Sequence, residues 1–247
     1  MIKVYKDLDN IPYSLLDEKT EEKRTRCIDA KSYDKKLNKR YKQNDTKEVL
    51  RQIYKNKCAF CEQEIFQSTN NKMRDNTSTV EHYRPKGKYY WLAFSWDNLL
   101  WCCNGCNKHK DENFEVLNSK VEYDERFRES IHSSTMLYNT REKPKIINVE
   151  LENIVKEIGF KDGIIESADE RVKYTILTCK IDRPALNEKR KRIIDKFIKE
   201  VNSKKAQSES IKDILIILLN DIKKQDKEFI ALRYWILRNY KSLIEVE

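Results

Sequence analysis

The chain has 247 residues, 37% of them charged, with 50 Lys+Arg against 41 Asp+Glu for a net charge of +9, and the basic pI near 9.0 favours polyanionic partners, nucleic acid first, although much of the lysine must simply solvate helix surfaces. Mean hydropathy of −0.84 and a longest strongly apolar run of only 214–219 exclude a membrane-spanning protein. With no apolar secretion core in the first residues, the expected compartment is a reducing cytoplasm, where seven cysteines, an odd number, favour metal over a closed disulfide framework.

Four Gly and four Pro in the whole chain point to a helix-rich protein. Residues 1–12 suit a short strand that ends in Asp9-Asn10-Ile11-Pro12. Residues 13–43 are charge-dense and helical in pattern, with Leu15, Leu16, Cys27 and Ile28 as apolar anchors. A clearer helix follows, capped by Asp45 or Thr46, striped by Val49, Leu50, Ile53 and Tyr54, and ended by Asn56. It delivers the chain to Cys58-Ala59-Phe60-Cys61. Residues 67–78 are polar and read as a loop. Thr79-Val80-Glu81-His82-Tyr83 suits a short strand stopped by Pro85; period two puts Glu81 and His82 on opposite faces, so a shared site demands a turn or bulge. After the aromatic stretch 89–94, residues 96–102 suit a second strand, and a short polar helix opens at Asn107.

Further on, Val149, Leu151, Ile154, Val155 and Ile158 predict a helix over 146–158, terminated by Gly159. Asp162-Gly163 suits a turn into Ile164-Ile165. Val172, Thr175, Ile176 and Cys179 share a helical face, Asp182 and Pro184 open a long helix reaching Val201, and 211–240 reads as two more helices after the polar break 202–210. The run Lys189 to Arg192 reads as a solvated helix face before a nucleic-acid groove.

The chemistry is concentrated in 58–114. Cys58 and Cys61 are separated by 41 residues from Cys103 and Cys106, and two C-x-x-C pairs can place four thiolates around one tetrahedral zinc. Cys102 stands three residues, not two, from Cys106, so Cys103 is the preferred ligand; Cys27, Cys102 and Cys179 are left over. The long spacer holds an acid–histidine pair, Glu81-His82, and then Asn98; Asn107 follows the second pair.

These residues resemble the HNH endonucleases, whose ββα-metal core carries a histidine on its first strand, an asparagine in the loop and a histidine or asparagine on the helix. Glu81-His82, Asn98 and Asn107 match those positions and Lys110 a following lysine, an HNN variant whose third residue binds metal less strongly than imidazole. A closer resemblance, carried by Glu81-His82-Tyr83-Arg84-Pro85-Lys86, Tyr90-Trp91-Leu92-Ala93, Trp96-Asp97-Asn98-Leu99-Leu100 and Cys103-Asn104-Gly105-Cys106-Asn107, is to the PtuB-type nucleases of Septu antiviral systems, some of which accompany retrons. Weaker features are Asp162-Gly163, Thr175-Ile176-Leu177, Asp182-Arg183-Pro184-Ala185-Leu186 and Arg190. The resemblance implies a bacterial defence nuclease working with an ATPase partner of the PtuA type, in some systems within a retron complex.

Phosphodiester hydrolysis needs an activated water, stabilised phosphorane charge and a helped leaving oxygen, which one base and one hard cation can supply. His82 is the natural base, its ordinary pKa being near ~6.5. Asn98 can hold its ring direction, Glu81 and Asn107 offer oxygens to Mg²⁺ or Mn²⁺, and Arg84, Lys86 and Lys110 are placed to meet phosphate. His109 competes with Asn107 for the cation; His132 has no motif around it. The expectation is an α+β protein: an N-terminal helical segment 1–57, a zinc-stapled ββα-metal core 58–120 embedded in a mostly helical chain, and a helical region 121–247 offering a partner-docking surface. Two alternatives stand beside it, a nuclease acting on RNA such as tRNA, and a non-catalytic zinc module that binds nucleic acid or protein.

Overall fold

The structure, a computed structural model, describes residues 1–34, 39–66 and 75–244. Most of the expected 67–78 loop therefore lies outside the described residues. Residues 1–12 do not form a strand; the segment is held by a bond from the Val4 N–H to the Val149 carbonyl at 2.8 Å and by a buried Lys6. The charge-dense stretch divides into α1 (Tyr13–Leu16) and α2 (Glu18–Asp29), because Asp17 caps α2 by accepting from the Thr20 N–H. A short 3₁₀ turn, Arg40–Lys42, leads into α3 (Asn44–Ile53). That helix starts ahead of the expected caps, and Asp45 is used otherwise: its carboxylate accepts from the Ser14 N–H and hydroxyl at 2.8 and 2.7 Å. Helix α3 is thereby bonded to α1.

Two strands, β1 (Ser78–His82) and β2 (Leu99–Cys103), pair antiparallel in a regular register from Ser78 opposite Cys103 to His82 opposite Leu99. All five residues of β2 are buried, which explains its unbroken run Leu-Leu-Trp-Cys-Cys. Residues 83–98 join the strands through 3₁₀ turns at Tyr90–Leu92 and Trp96–Asn98, and bury Trp91, Phe94 and Trp96 completely. Helix α4 (Asn104–Lys110) follows directly, opening three residues earlier than expected because Cys103 serves as its cap.

The C-terminal region begins with α5 (Thr135–Glu142). The helix expected over 146–158 does not form; only Val155–Glu157 makes a 3₁₀ turn. Ile146, Ile147 and Val149 are buried in an irregular segment whose backbone bonds are taken elsewhere, the Ile147 N–H by the Thr175 hydroxyl at 2.9 Å and the Val149 carbonyl by Val4. Strands β3 (Gly159–Lys161) and β4 (Ile164–Glu166) form a hairpin around Asp162-Gly163. Both turn residues have positive φ, 50° and 80°, as a primed two-residue turn requires, and a Cβ on Gly163 would lie 2.3 Å from the Asn187 carbonyl oxygen. Then come α6 (Glu170–Cys179), capped by Asp169, α7 (Pro184–Ala206) with proline in its first turn, α8 (Lys212–Lys224) and α9 (Ile230–Ile244).

One contiguous apolar core joins the three expected segments, including Leu15 and Leu50, Trp96 and Leu99, and Val172 and Ile236. Helix α9 is part of that core: Glu62, beside the first cysteine pair, accepts from the Ala231 N–H at 2.9 Å. Among the described residues no helix is long and apolar enough to cross a membrane. The architecture is α+β, with two small sheets among helices.

Candidate metal centre and candidate active site

The sheet of β1 and β2 has a different group of functional side chains at each end. At the Ser78–Cys103 end, the turn carrying Cys58 and Cys61 lies alongside β2, with the Ala59 N–H bonded to the Trp101 carbonyl at 2.9 Å. Cys103 caps α4 and Cys106 lies in its first turn, the Cys106 N–H pointing at the Cys103 sulfur from 3.4 Å. The four ligand sulfurs Cys58, Cys61, Cys103 and Cys106 are buried and lie within 4.8 Å of one another. Zinc–sulfur bonds of about 2.3 Å in a tetrahedron put sulfurs about 3.8 Å apart; Cys61 and Cys103 are 3.8 Å apart. The donor set therefore fits a tetrahedral metal such as zinc. Cys102 lies 3.7 Å from Cys58, but its thiol is directed at the Cys103 carbonyl, and the set is completed by Cys103.

Arg183 is a part of this centre that the spacing of cysteines does not reveal. Its guanidinium donates to the Cys106 sulfur at 3.4 Å and to the Cys103 sulfur at 3.6 Å. Four thiolates around a divalent ion carry two surplus negative charges, and the guanidinium offsets one of them. Gly105 makes the approach possible, since a Cβ there would stand 2.8 Å from Arg183 Nη2. Arg183 lies 77 residues beyond Cys106, so no local pattern joins them.

At the other end of the sheet, His82 is 3% exposed, and its Nε2 lies 2.9 Å from the Ala93 carbonyl oxygen. A carbonyl only accepts, so Nε2 carries the ring proton and Nδ1 keeps its lone pair. Burial, and then the positive charge of Lys86, holds the imidazole pKa well below its ordinary value, leaving the ring neutral around pH 7. Tyr41 packs edge-on against it with ring centroids 4.4 Å apart.

Asn98 is fully buried and braces the loop that supplies Ala93. Its Oδ1 accepts from the Arg84 N–H at 2.7 Å, and its Nδ2 donates to the Arg84 and Leu92 carbonyls at 3.0 and 3.1 Å. Asn98 thus acts on His82 through the backbone, by fixing both the residues after the strand and the residue before Ala93. Lys6, absent from any motif, bonds the Trp96 carbonyl at 3.2 Å and the Leu99 carbonyl, and pairs with Glu150 at 2.6 Å. The turn carrying Asn98 is held from beneath by this ammonium.

The regular register rules out a bulge at Glu81-His82. Lys110 instead joins them: its Nζ donates to Glu81 Oε1 at 2.7 Å and to the His82 carbonyl at 2.8 Å. Lys110 is completely buried, which removes it from the phosphate-meeting position expected of it. Burial raises the Glu81 pKa, against the lowering effect of Lys110. Asn107 is half-buried and lies one helical turn before Lys110, on the same side of α4. His109 is exposed on the same helix.

Arg84, expected to meet phosphate, has its guanidinium engaged inside the fold. It is completely buried, with Nε 2.8 Å from Glu142 Oε2 and Nη2 2.7 Å from Asn139 Oδ1. Lys86 remains at the site, its ammonium 5.8 Å from the Tyr41 ring centroid. Of the residues expected to hold Mg²⁺ or Mn²⁺, Glu81 offers a carboxylate already paired with an ammonium and Asn107 a single amide oxygen. They do not form a ready cage for a hard cation, which ordinarily takes six or more oxygens.

His132, which has no motif around it, is structural. Its Nδ1 accepts from the Trp96 N–H at 3.0 Å and its Nε2 lies 3.2 Å from Arg24 Nη2.

Among curated proteins the chain is similar to the Septu protein PtuB of Bacillus mycoides (strain KBAB4), 28% identical over 184 residues. The match covers 68% of this chain and 55% of that protein, so the chain spans about half the length of the relative. No protein-family model matches the chain.

Proposed function

We propose that the chain, similar as it is to a Septu protein PtuB, is an endonuclease that hydrolyses phosphodiester bonds of nucleic acid, and that it serves antiviral defence together with an ATPase partner. The observation that carries this reading is the buried, neutral His82, whose Nε2–H is committed to the Ala93 carbonyl. A neutral imidazole with one nitrogen tied to backbone is oriented to accept a proton at the other. In this role Nδ1 takes a proton from water as its oxygen bonds to phosphorus and the bond to the 3′ oxygen breaks, that oxygen taking up a proton from solvent. Asn98 and Lys6 keep the Ala93 loop in place, and Lys86 offsets phosphate charge. The four cysteines hold zinc and brace the opposite end of the sheet.

The Glu81–Lys110 ion pair favours a second reading, a zinc-bearing module that binds nucleic acid or protein without cleaving it. In the nuclease reading Lys110 neutralises Glu81 and fixes the end of β1, and no step is routed through a divalent cation. Water attack does not need a 2′-OH, so DNA and RNA are both candidate substrates. The test is incubation of the purified chain, with and without a candidate ATPase partner, with DNA and with total RNA in Mg²⁺ and Mn²⁺, alongside His82→Ala. Cleavage by the native chain and none by the variant supports the nuclease; equal cleavage by both assigns His82 a structural role.

A further inference from the structure

The four ligand sulfurs come from local turns, but a cation reaches two of them from a distant part of the chain. Arg183 stands immediately before α7, where helices favour a small polar side chain that caps the free N–H groups. It makes no such cap. Its guanidinium turns instead to the Cys106 and Cys103 sulfurs and to the Lys180 carbonyl at 3.0 Å, and its Nε lies 3.6 Å from the Asp75 carboxylate. Helix α6 ends at Lys180 in a left-handed conformation, and the joint between α6 and α7 is gripped by the second turn of α7. Asn187 Nδ2 donates to the Asp182 carbonyl at 2.6 Å. The buried Arg190 donates to the Ile181 carbonyl at 3.0 Å and to Asn187 Oδ1 at 3.2 Å. Among the described residues Asn187 bonds this joint and no sulfur.

We infer that Arg183 is a positioning residue of the thiolate centre and a clasp through which the α6–α7 joint sets how tightly the metal is held. The inference rests on the four cysteines holding zinc and is independent of the nuclease reading. Donors directed at ligating sulfurs fix their directions and tune the metal. The guanidinium is a planar fork that spans two sulfurs while one of its nitrogens also bonds the Lys180 carbonyl, which a single ammonium does not reproduce. Coupling between two sites is reciprocal: what the seated joint adds to metal binding, bound metal adds to the seating of the joint. The centre thus holds together three stretches that the sequence keeps apart, the turn at Cys58, the start of α4 and the start of α7. A staple serving the β1–β2 ribbon alone has no use for a cation from α7.

The experiment measures the zinc content of the full-length chain and then follows zinc leaving it for an excess of the chromogenic chelator 4-(2-pyridylazo)resorcinol. Arg183→Met is expected to bind zinc at the native stoichiometry and to release it about 10-fold or more faster, the scale on which such outer partners act on metal affinity. Arg183→Lys, which keeps the charge but not the fork, recovers part of the loss. In cobalt-loaded chain the thiolate-to-cobalt absorption moves to longer wavelength in Arg183→Met, because sulfur lone pairs that lose their donors give up electron density more readily. A change in fold stability alone leaves that absorption in place. Asn187→Ala tests the clasp: it speeds zinc release in the native background and adds nothing in Arg183→Met. Equal acceleration in both backgrounds overturns the clasp, as does release that Asn187→Ala leaves unchanged. Native release and an unmoved cobalt absorption in Arg183→Met overturn the inference as a whole; if that variant does not fold, Arg183→Gln is judged by the same rate and absorption. A native chain that binds no zinc removes the zinc reading and the inference with it, a failure distinct from native zinc content with unchanged release.

Discussion

The two ends of the β1–β2 ribbon are built by different means. The Cys103 end depends on four thiols supplied by two tight turns, and its geometry is largely local to each pair. The His82 end is assembled by hydrogen bonds from distant segments: Ala93 on the ring nitrogen, Lys110 on the His82 carbonyl, Asn98 and Lys6 behind the loop, and Tyr41 against the ring. A metal centre can therefore stabilise the fold without asking much of the surrounding sequence, whereas the imidazole is positioned only once the whole chain is folded. The comparison predicts that damage to the first end shows as lost structure, and damage to the second as a shifted ring or a lost reaction.

The largest effect expected is from metal removal. Structural zinc contributes on the order of 10 kcal/mol or more in small zinc-binding folds, so Cys61→Ala or exhaustive chelation should give insoluble or loosened protein, read by circular dichroism and solubility. Metal analysis should find zinc near one per chain. A chain that stays folded and soluble without metal would mean that the apolar core carries this end by itself.

A smaller loss is expected on breaking the buried pair behind the imidazole end. Arg84→Met leaves the Glu142 carboxylate buried with its Tyr89 and Val121 donors but no cation, a cost of about 3–5 kcal/mol, measurable by urea unfolding. Glu142→Met in the same chain should recover part of it. If Arg84→Met left stability unchanged and weakened nucleic-acid binding, Arg84 would return to the phosphate.

At neutral pH the smallest effect is that of His132, which shows only as pH falls. His132 Nδ1 accepts from the Trp96 N–H, so a second ring proton, which would have to sit on Nδ1, finds no acceptor, and burial, then the charge of Arg24, lowers its pKa to about 3. The folded value lies below the unfolded one of about 6.5, so the unfolded chain binds the extra proton first. The contribution of neutral His132 is complete above about pH 6.5 and is lost as pH falls towards 3, with a slope of at most about 1.4 kcal/mol per pH unit. Replacing His132 with Asn, which retains an acceptor for Trp96, should flatten the stability profile over that range relative to the native chain. Identical profiles would place the acid sensitivity elsewhere.

What was legible in the sequence follows the same division. The cysteine spacing led to the metal centre because C-x-x-C is a local geometry, and the hairpin at Asp162-Gly163 was legible because positive φ at two successive residues has its own residue signature. Arg183 and Lys6 were not, because each reaches its partner across the fold and looks in sequence like any other basic residue. Arg84 and Lys110 look in sequence like phosphate contacts for the same reason: charge is visible there and burial is not. The helix expected at 146–158 failed because a run of apolar residues suits a buried irregular segment as well as a helix, and the Thr175 hydroxyl and Val4 N–H decided between them.

The most direct test of the account is the rate of nucleic-acid cleavage by His82→Ala measured alongside its zinc content and circular dichroism. The expected result is cleavage reduced by about 10²–10⁴, with zinc content and fold as in the native chain, because Nδ1 is lost while the thiol end is untouched. Native-like cleavage by the variant would contradict the account and leave residues 58–114 as a binding scaffold.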